Sequence, residues 1–180
     1  MSLPSRPLPV KPLVSLIFSQ PGLEIAVFQE LAGFLGPADM ISGWLQFNQT
    51  QYYNPEMGEN LQRRLAVFLH LADPADLCRW KTCTNALEHR LSLAGRRLVN
   101  LDPGYLTRER LVLATGKNYT HRLYLGQGLY GEVTLMYQKG DWQPLPWTYP
   151  DYAGPEIKNF LHQARKKYLW QLKNLTDYNF

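Results

Sequence analysis

The chain has 180 residues and a net charge of +4, with 45% of its residues hydrophobic and 19% charged. At that length one domain can bury roughly 70% of its unfolded surface without disulfides or metal. The balance of apolar to charged residues excludes both a disordered chain and a membrane-spanning one. The positive charge gathers only at Arg165-Lys166-Lys167, so a nucleic-acid surface is permitted but not indicated.

Residues 1–12 are proline-rich and lack the apolar stretch of a signal peptide. They read as a flexible lead-in to a single α+β domain over 13–180, and a cytoplasmic location is expected. Residues 13–18 form a short apolar run that suits a buried strand, and 21–35 follow as an amphipathic helix stopped by Gly36-Pro37. The aromatic, alternating stretch 44–53 predicts one extended strand or a hairpin, and Asn54-Pro55-Glu56-Met57-Gly58 a turn. Leu61, Leu65, Phe68, Leu69 and Ala72 recur at helical spacing, which predicts a helix over 60–72. A second helix begins at Asp73-Pro74, an N-cap with proline at the first helical position, and ends near Gly95. Cys78 and Cys83 stand five apart on it, pointing to different sides, so neither a disulfide nor a paired metal or redox site is expected.

That second helix has one peculiarity. Its inward stripe of Leu77, Trp80, Leu87 and Leu91 also passes through Lys81, Thr84 and Glu88. The structural reading is a solvated edge of the stripe with the lysine reaching out to water. The functional reading places Lys81, Asn85 and Glu88 on the rim of a cleft.

From Arg96 onward the chain is strand-rich: 97–101, 111–115, a hairpin over 121–137, then 142–145 after the Lys139-Gly140-Asp141 turn. Residues 154–173 close the chain as a helix whose stripe of Ile157, Phe160, Leu161, Ala164, Tyr168 and Leu172 should lie on the sheet. The element order allows a ferredoxin-like β-α-β-β-α-β core extended by C-terminal antiparallel hairpins.

Within the hairpin, Leu125-Gly-Gln-Gly-Leu-Tyr-Gly-Glu-Val133 matches the glycine pattern that covers ATP phosphates in kinases. The rest of such a site is missing, because fewer than fifty residues follow and none forms the catalytic-loop or metal-binding motifs. The glycines serve a turn instead. With Gly126 to Gly128 as a three-residue loop, Leu125 pairs with Leu129 and Leu123 with Gly131. Arg122 then faces Glu132 beside Tyr124, Tyr130 and Thr134, while Leu123, Leu125, Leu129, Val133, Leu135 and Tyr137 take the packed face. The plain reading of Arg122 and Glu132 is an exposed cross-strand ion pair contributing at most ~1 kcal/mol.

Five phrases together resemble one family: Tyr52-Tyr53-Asn54-Pro55-Glu56-Met57-Gly58, Val99-Asn100-Leu101-Asp102-Pro103-Gly104-Tyr105-Leu106, Leu113-Ala114-Thr115 with Lys117 and His121-Arg122, Glu132-Val133-Thr134-Leu135, and Pro146-Trp147-Thr148-Tyr149-Pro150-Asp151-Tyr152. The chain is similar to an uncharacterised bacterial family known only as a domain of unknown function, some of whose members carry an automatic GTP-binding label. The sequence has neither a P-loop nor an Asn-Lys-x-Asp guanine motif to match that label. The resemblance implies that Glu56, Asn100, Asp102, Lys117, His121, Arg122, Glu132, Trp147, Tyr149 and Asp151 lie in the family's characteristic phrases.

Each residue has a plain reading. Asp102-Pro103-Gly104 has the order of a type II turn, His121 at a strand start reads as a packed histidine, and Trp147, Tyr149 and Tyr152 form either a plug on the core or a stacking platform. Against these stands a ligand-site reading. Lys117 and Arg122 bind an anionic, possibly phosphorylated compound, with Asn100 and Tyr149 positioning it, while Glu132, Asp102 and His121 supply acid-base groups. No metal site and no cofactor is assigned. The alternative is a non-catalytic RNA- or protein-binding module using the basic C-terminal helix and the aromatic loop.

Overall fold

A computed structural model describes residues 3–47 and 53–175. In chain order the strands and helices are β1 (Lys11–Phe18), α1 (Glu24–Leu35), β2 (Ala38–Ile41), β3 (Leu45–Gln46), the single turn α2 (Asn54–Met57), β4 (Gln62–Phe68), α3 (Leu77–Arg90), β5 (Val99–Leu106), β6 (Arg110–Thr115), β7 (Leu123–Gly126), β8 (Leu129–Gln138), β9 (Asp141–Pro144) and α4 (Pro155–Lys173). Short 3-10 turns at Pro74–Asp76 and Pro150–Ala153 lead into α3 and α4.

All strands join one antiparallel sheet ordered β2-β4-β1-β5-β6-β8-β7, with β3 on β4 and β9 on β8. Two β-α-β units interlock in it. In β1-α1-β2 the intervening strand is β4, and in β4-α3-β5 it is β1, which is the predicted ferredoxin-like core. Helices α1 and α3 cover one face, where Val27, Leu31, Trp80 and Leu87 meet Val14, Leu16 and Phe18 of β1. On the other face α4 sets Ile157, Leu161, Ala164 and Tyr168 against Leu13, Leu65, Val67, Leu111 and Leu135. β1 is therefore buried along its whole length, Lys11 and Ser15 included, as befits a largely apolar strand covered on both sides.

The helix predicted over 60–72 is instead strand β4. Leu65 and Val67 face α4 while Ala66 and Phe68 face α1 and α3. A run apolar on both sides carries no period-2 signal to compete with an accidental helical one. The turn read at Asp102-Pro103-Gly104 is also strand, paired residue by residue with β1. Lys11 and Pro12, assigned by sequence to the lead-in, open β1, and Val10 bridges Ala72. Of the stretch predicted as a strand or hairpin over 44–53, Leu45–Gln46 form strand among the described residues, and 48–52 lie outside those residues.

The β7–β8 hairpin keeps the predicted Leu123–Gly131 pairing and departs from the predicted register only nearer its turn. Its loop has two residues, Gln127 and Gly128, both with positive φ (55° and 73°) as a type I′ turn demands, and Gly126 pairs with Leu129. On its other side β8 carries a bulge: Leu135 pairs with Leu111 but Val133 with Val112, leaving Thr134 as the extra residue. Val133 and Leu135, expected on one face, therefore point to opposite faces. Leu123 and Leu125 are exposed rather than packed, by 74% and 40%.

Candidate functional site

The site begins with a defect in the sheet. β5 pairs with β1 over all eight of its residues, yet with β6 only at Gly104, Tyr105 and Leu106. Where they meet, a Cβ on Gly104 would lie 2.1 Å from the Val112 carbonyl oxygen, so only glycine admits the approach. Beyond that point β6 stays with β8 through Ala114 and Thr115, and the two strands part.

The parted edge of β5 leaves backbone groups without a strand partner, and side chains from α3 take its place. Leu101 N–H donates to Glu88 Oε1 at 2.6 Å, and Lys81 Nζ donates to Leu101 O at 2.9 Å. Pro103, two residues on, turns its donor-less nitrogen to the same side, so it leaves no donor unmade there. The polar intrusion on the inner stripe of α3 is thus explained: Lys81 is 5% exposed, and Thr84 and Glu88 are buried too, against the solvated-edge reading.

The split opens into a cavity of about 300 Å³. Lys81, Asn85 and Glu88 enter it from α3, Asn100 and Asp102 from β5, Lys117 and Arg122 from the β6–β7 connection, Glu132 from β8 and Tyr149 from the segment before α4. Six of the seven proposed site residues therefore line one space. The seventh, His121, stands behind it: its Nε2 is 3.0 Å from Glu132 Oε2 and its ring stacks on Trp147 at 4.8 Å, 6° from parallel. Two cavity residues outside the predicted site set, Arg63 and Arg97, complete the lining cations.

Bonds within the lining fix these groups. Arg122 Nε donates to Glu132 Oε2 at 2.7 Å and Nη1 to Lys117 O at 2.9 Å. The expected Arg122–Glu132 pair is present, but Glu132 is buried and Arg122 partly so, rather than both exposed. Asp102 accepts from Asn100 Nδ2 at 2.7 Å and from Lys81 Nζ at 3.1 Å. Arg97 grips Glu56 through two bonds of 2.6 Å and reaches Glu88 and Asn100 at 3.0 Å each. Arg63, 4% exposed, lies between the rings of Phe47 and Tyr152, 4.6 Å from each.

Two cavity carboxyls are pushed in opposite directions. Burial dominates at Glu88 and raises its pKa despite Lys81 and the Leu101 amide. Burial also works to raise Asp102, but the Lys81 charge and the bonds from Lys81 and Asn100 outweigh it and hold Asp102 below the ordinary carboxylate value. Burial raises the Tyr152 phenol well above its usual range, so it stays neutral.

The aromatic segment divides between its two readings. Tyr152 is a plug, 2% exposed, whereas Trp147 and Tyr149 are 37% and 46% exposed. The segment docks in the gap between β7 and β9, where Trp147 Nε1 donates to Val133 O and Thr148 Oγ1 to Thr134 O. Among the described residues no group of three or more His, Cys, Asp and Glu could hold a metal ion, and no helix is long and apolar enough to cross a membrane.

Sheet, helices and cavity define an α+β protein with a polar site at a split between antiparallel strands. The chain belongs to the family described as Domain of unknown function (DUF4416), whose sequence model matches residues 8–168. No curated protein and no solved structure matches it.

Proposed function

We propose that the protein binds a small anionic compound, phosphorylated compounds included, in the cavity at the β5–β6 split, and that the site is equipped for proton transfer on it. The observation that carries this reading is the convergence of Asn100, Asp102, Lys117, Arg122, Glu132 and Tyr149, from separate segments, on one space. Lys117 and Arg122 supply charge for the acid group, and neither described bond of Arg122 uses its Nη2. Asp102, kept ionised beside Lys81, accepts from a ligand hydroxyl. Glu132, oriented by Arg122 and His121, is the base, and Glu88, with its raised pKa, is the carboxyl that most readily carries a proton. Tyr149 orients the ligand at the mouth.

The alternative use of the C-terminal helix for RNA has less support. Arg165 Nε donates to Arg108 O with its guanidinium 3.6 Å over the Tyr137 ring, and Lys167 pairs with Asp39, so two of the three basic residues are engaged within the fold.

Thermal-shift screening with nucleotides, sugar phosphates and divalent ions tests the reading. Stabilisation by an anionic compound is expected in the native protein and loss of it in Arg122→Ala and Glu132→Gln. No stabilisation by any compound, or equal stabilisation in both variants, overturns it.

A further inference from the structure

We infer, resting on the anion-binding reading of the cavity, that the ligand is an elongated two-acid compound: an acid group at each end, with hydroxyl or amine donors between them. Two cationic groups, well separated on the sheet, face the same cavity. Arg63 stands on β4, while Lys117 and Arg122 follow the end of β6. In the sheet order β4-β1-β5-β6, three strand spacings, on the order of 14 Å, separate the strands that carry them.

The Arg63 end is built as an anchor. Its guanidinium is buried and held between two rings. Nε and Nη1 are sealed inside the fold, Nη1 against Asp151 Oδ2 at 2.7 Å. That leaves Nη2 as the guanidinium donor that an acid group in the cavity would meet. The Lys117–Arg122 end is more open, with Lys117 exposed.

The middle selects the opposite chemistry. Asn100 and Asp102 lie on β5, between the two ends, and Asp102 is held as a carboxylate by Lys81. An acid group placed there would be repelled, whereas a hydroxyl or amine would donate to it. A phosphorylated six-carbon sugar acid has this order of groups and suits a cavity of about 300 Å³.

The test is isothermal titration of the full chain with 6-phosphogluconate, and with glucose 6-phosphate and gluconate as single-acid controls. The two-acid compound should bind at least about tenfold more tightly than either control, the factor one charge-assisted contact supplies. Arg63→Met should bring its affinity down to that of glucose 6-phosphate for the native protein, and Arg63→Lys, which keeps the charge beside Asp151, should retain part of the advantage. The doubly substituted Lys117→Gln, Arg122→Gln protein should bind it no better than gluconate. If a single-acid compound binds as tightly, the two-ended ligand is overturned while the anion site stands. If none of the three binds at millimolar concentration, the two-ended sugar acid is overturned, and the anion site itself is decided by the thermal-shift screen.

Discussion

The two edges of β5 contrast sharply. Toward β1 the strand is zipped from Lys11↔Leu106 to Phe18↔Val99, and every side chain of β1 is buried. Toward β6 three residues pair and the rest of the edge is satisfied by a lysine and a glutamate from a helix. Backbone groups withdrawn from water need partners whatever their source. When a strand supplies them the result is solid core, and when long charged side chains supply them the result is a polar space with room beside it.

Substitutions at the open edge break this contrast most directly. Glu88→Ala should cost about 3–5 kcal/mol in urea unfolding, because it strips the Leu101 amide and Arg97 of a buried charged acceptor. A loss below about 1 kcal/mol would mean that water replaces the carboxylate easily and the edge is not sealed by α3. At the point of parting, Gly104→Ala should cost about 3 kcal/mol, since the new methyl would meet Val112 backbone rather than a movable side chain.

A pH titration of stability separates the two carboxyls. Glu88 has a raised folded pKa, so its protonated form is favoured by folding, and stability from this group rises as pH falls through that pKa. Asp102 has a lowered one, so its contribution is complete above the unfolded value of about 3.9 and is lost as pH falls through the folded pKa. Glu88→Gln should flatten the mildly acidic gain, and Asp102→Asn the strongly acidic loss; curves parallel to the native one would remove these groups from the account. At the far edge, Leu123→Thr should change stability by no more than about 0.5 kcal/mol, as an exposed side chain on β7 permits.

Much of the frame is legible in the sequence, where one face of an element differs from the other. The stripe of α4 and the Arg122–Glu132 pairing follow from such alternation. β4 is hidden because both its faces are apolar, and with it goes Arg63, whose signal was an arginine at an inward position beside Leu61 and Leu65. Arg97, the first residue of the strand predicted at 97–101, gave no periodic cue at all; its bonds tie it to Glu88 and Asn100 nearby and to Glu56, 41 residues away in the chain. Asp102-Pro103-Gly104 has turn composition but strand conformation, since proline is tolerated where the neighbouring strand has left and glycine where it presses closest. Lys81 and Glu88 were visible as misplaced polar residues, but their reason lay in a gap between two strands that no local pattern records.

The extra residue at Thr134 gives the distal hairpin a phase of its own. Before it, Glu132 shares a face with Leu113, and after it Leu135 shares that same face with Leu111. Because side chains alternate with a period of two, the chain beyond this joint is uncoupled in parity from the part under α4. Lengthening the hairpin by one pair of opposed residues would extend the cavity wall and leave the core untouched, whereas removing the single residue at the joint would turn Glu132 out of the cavity while every loop kept its length.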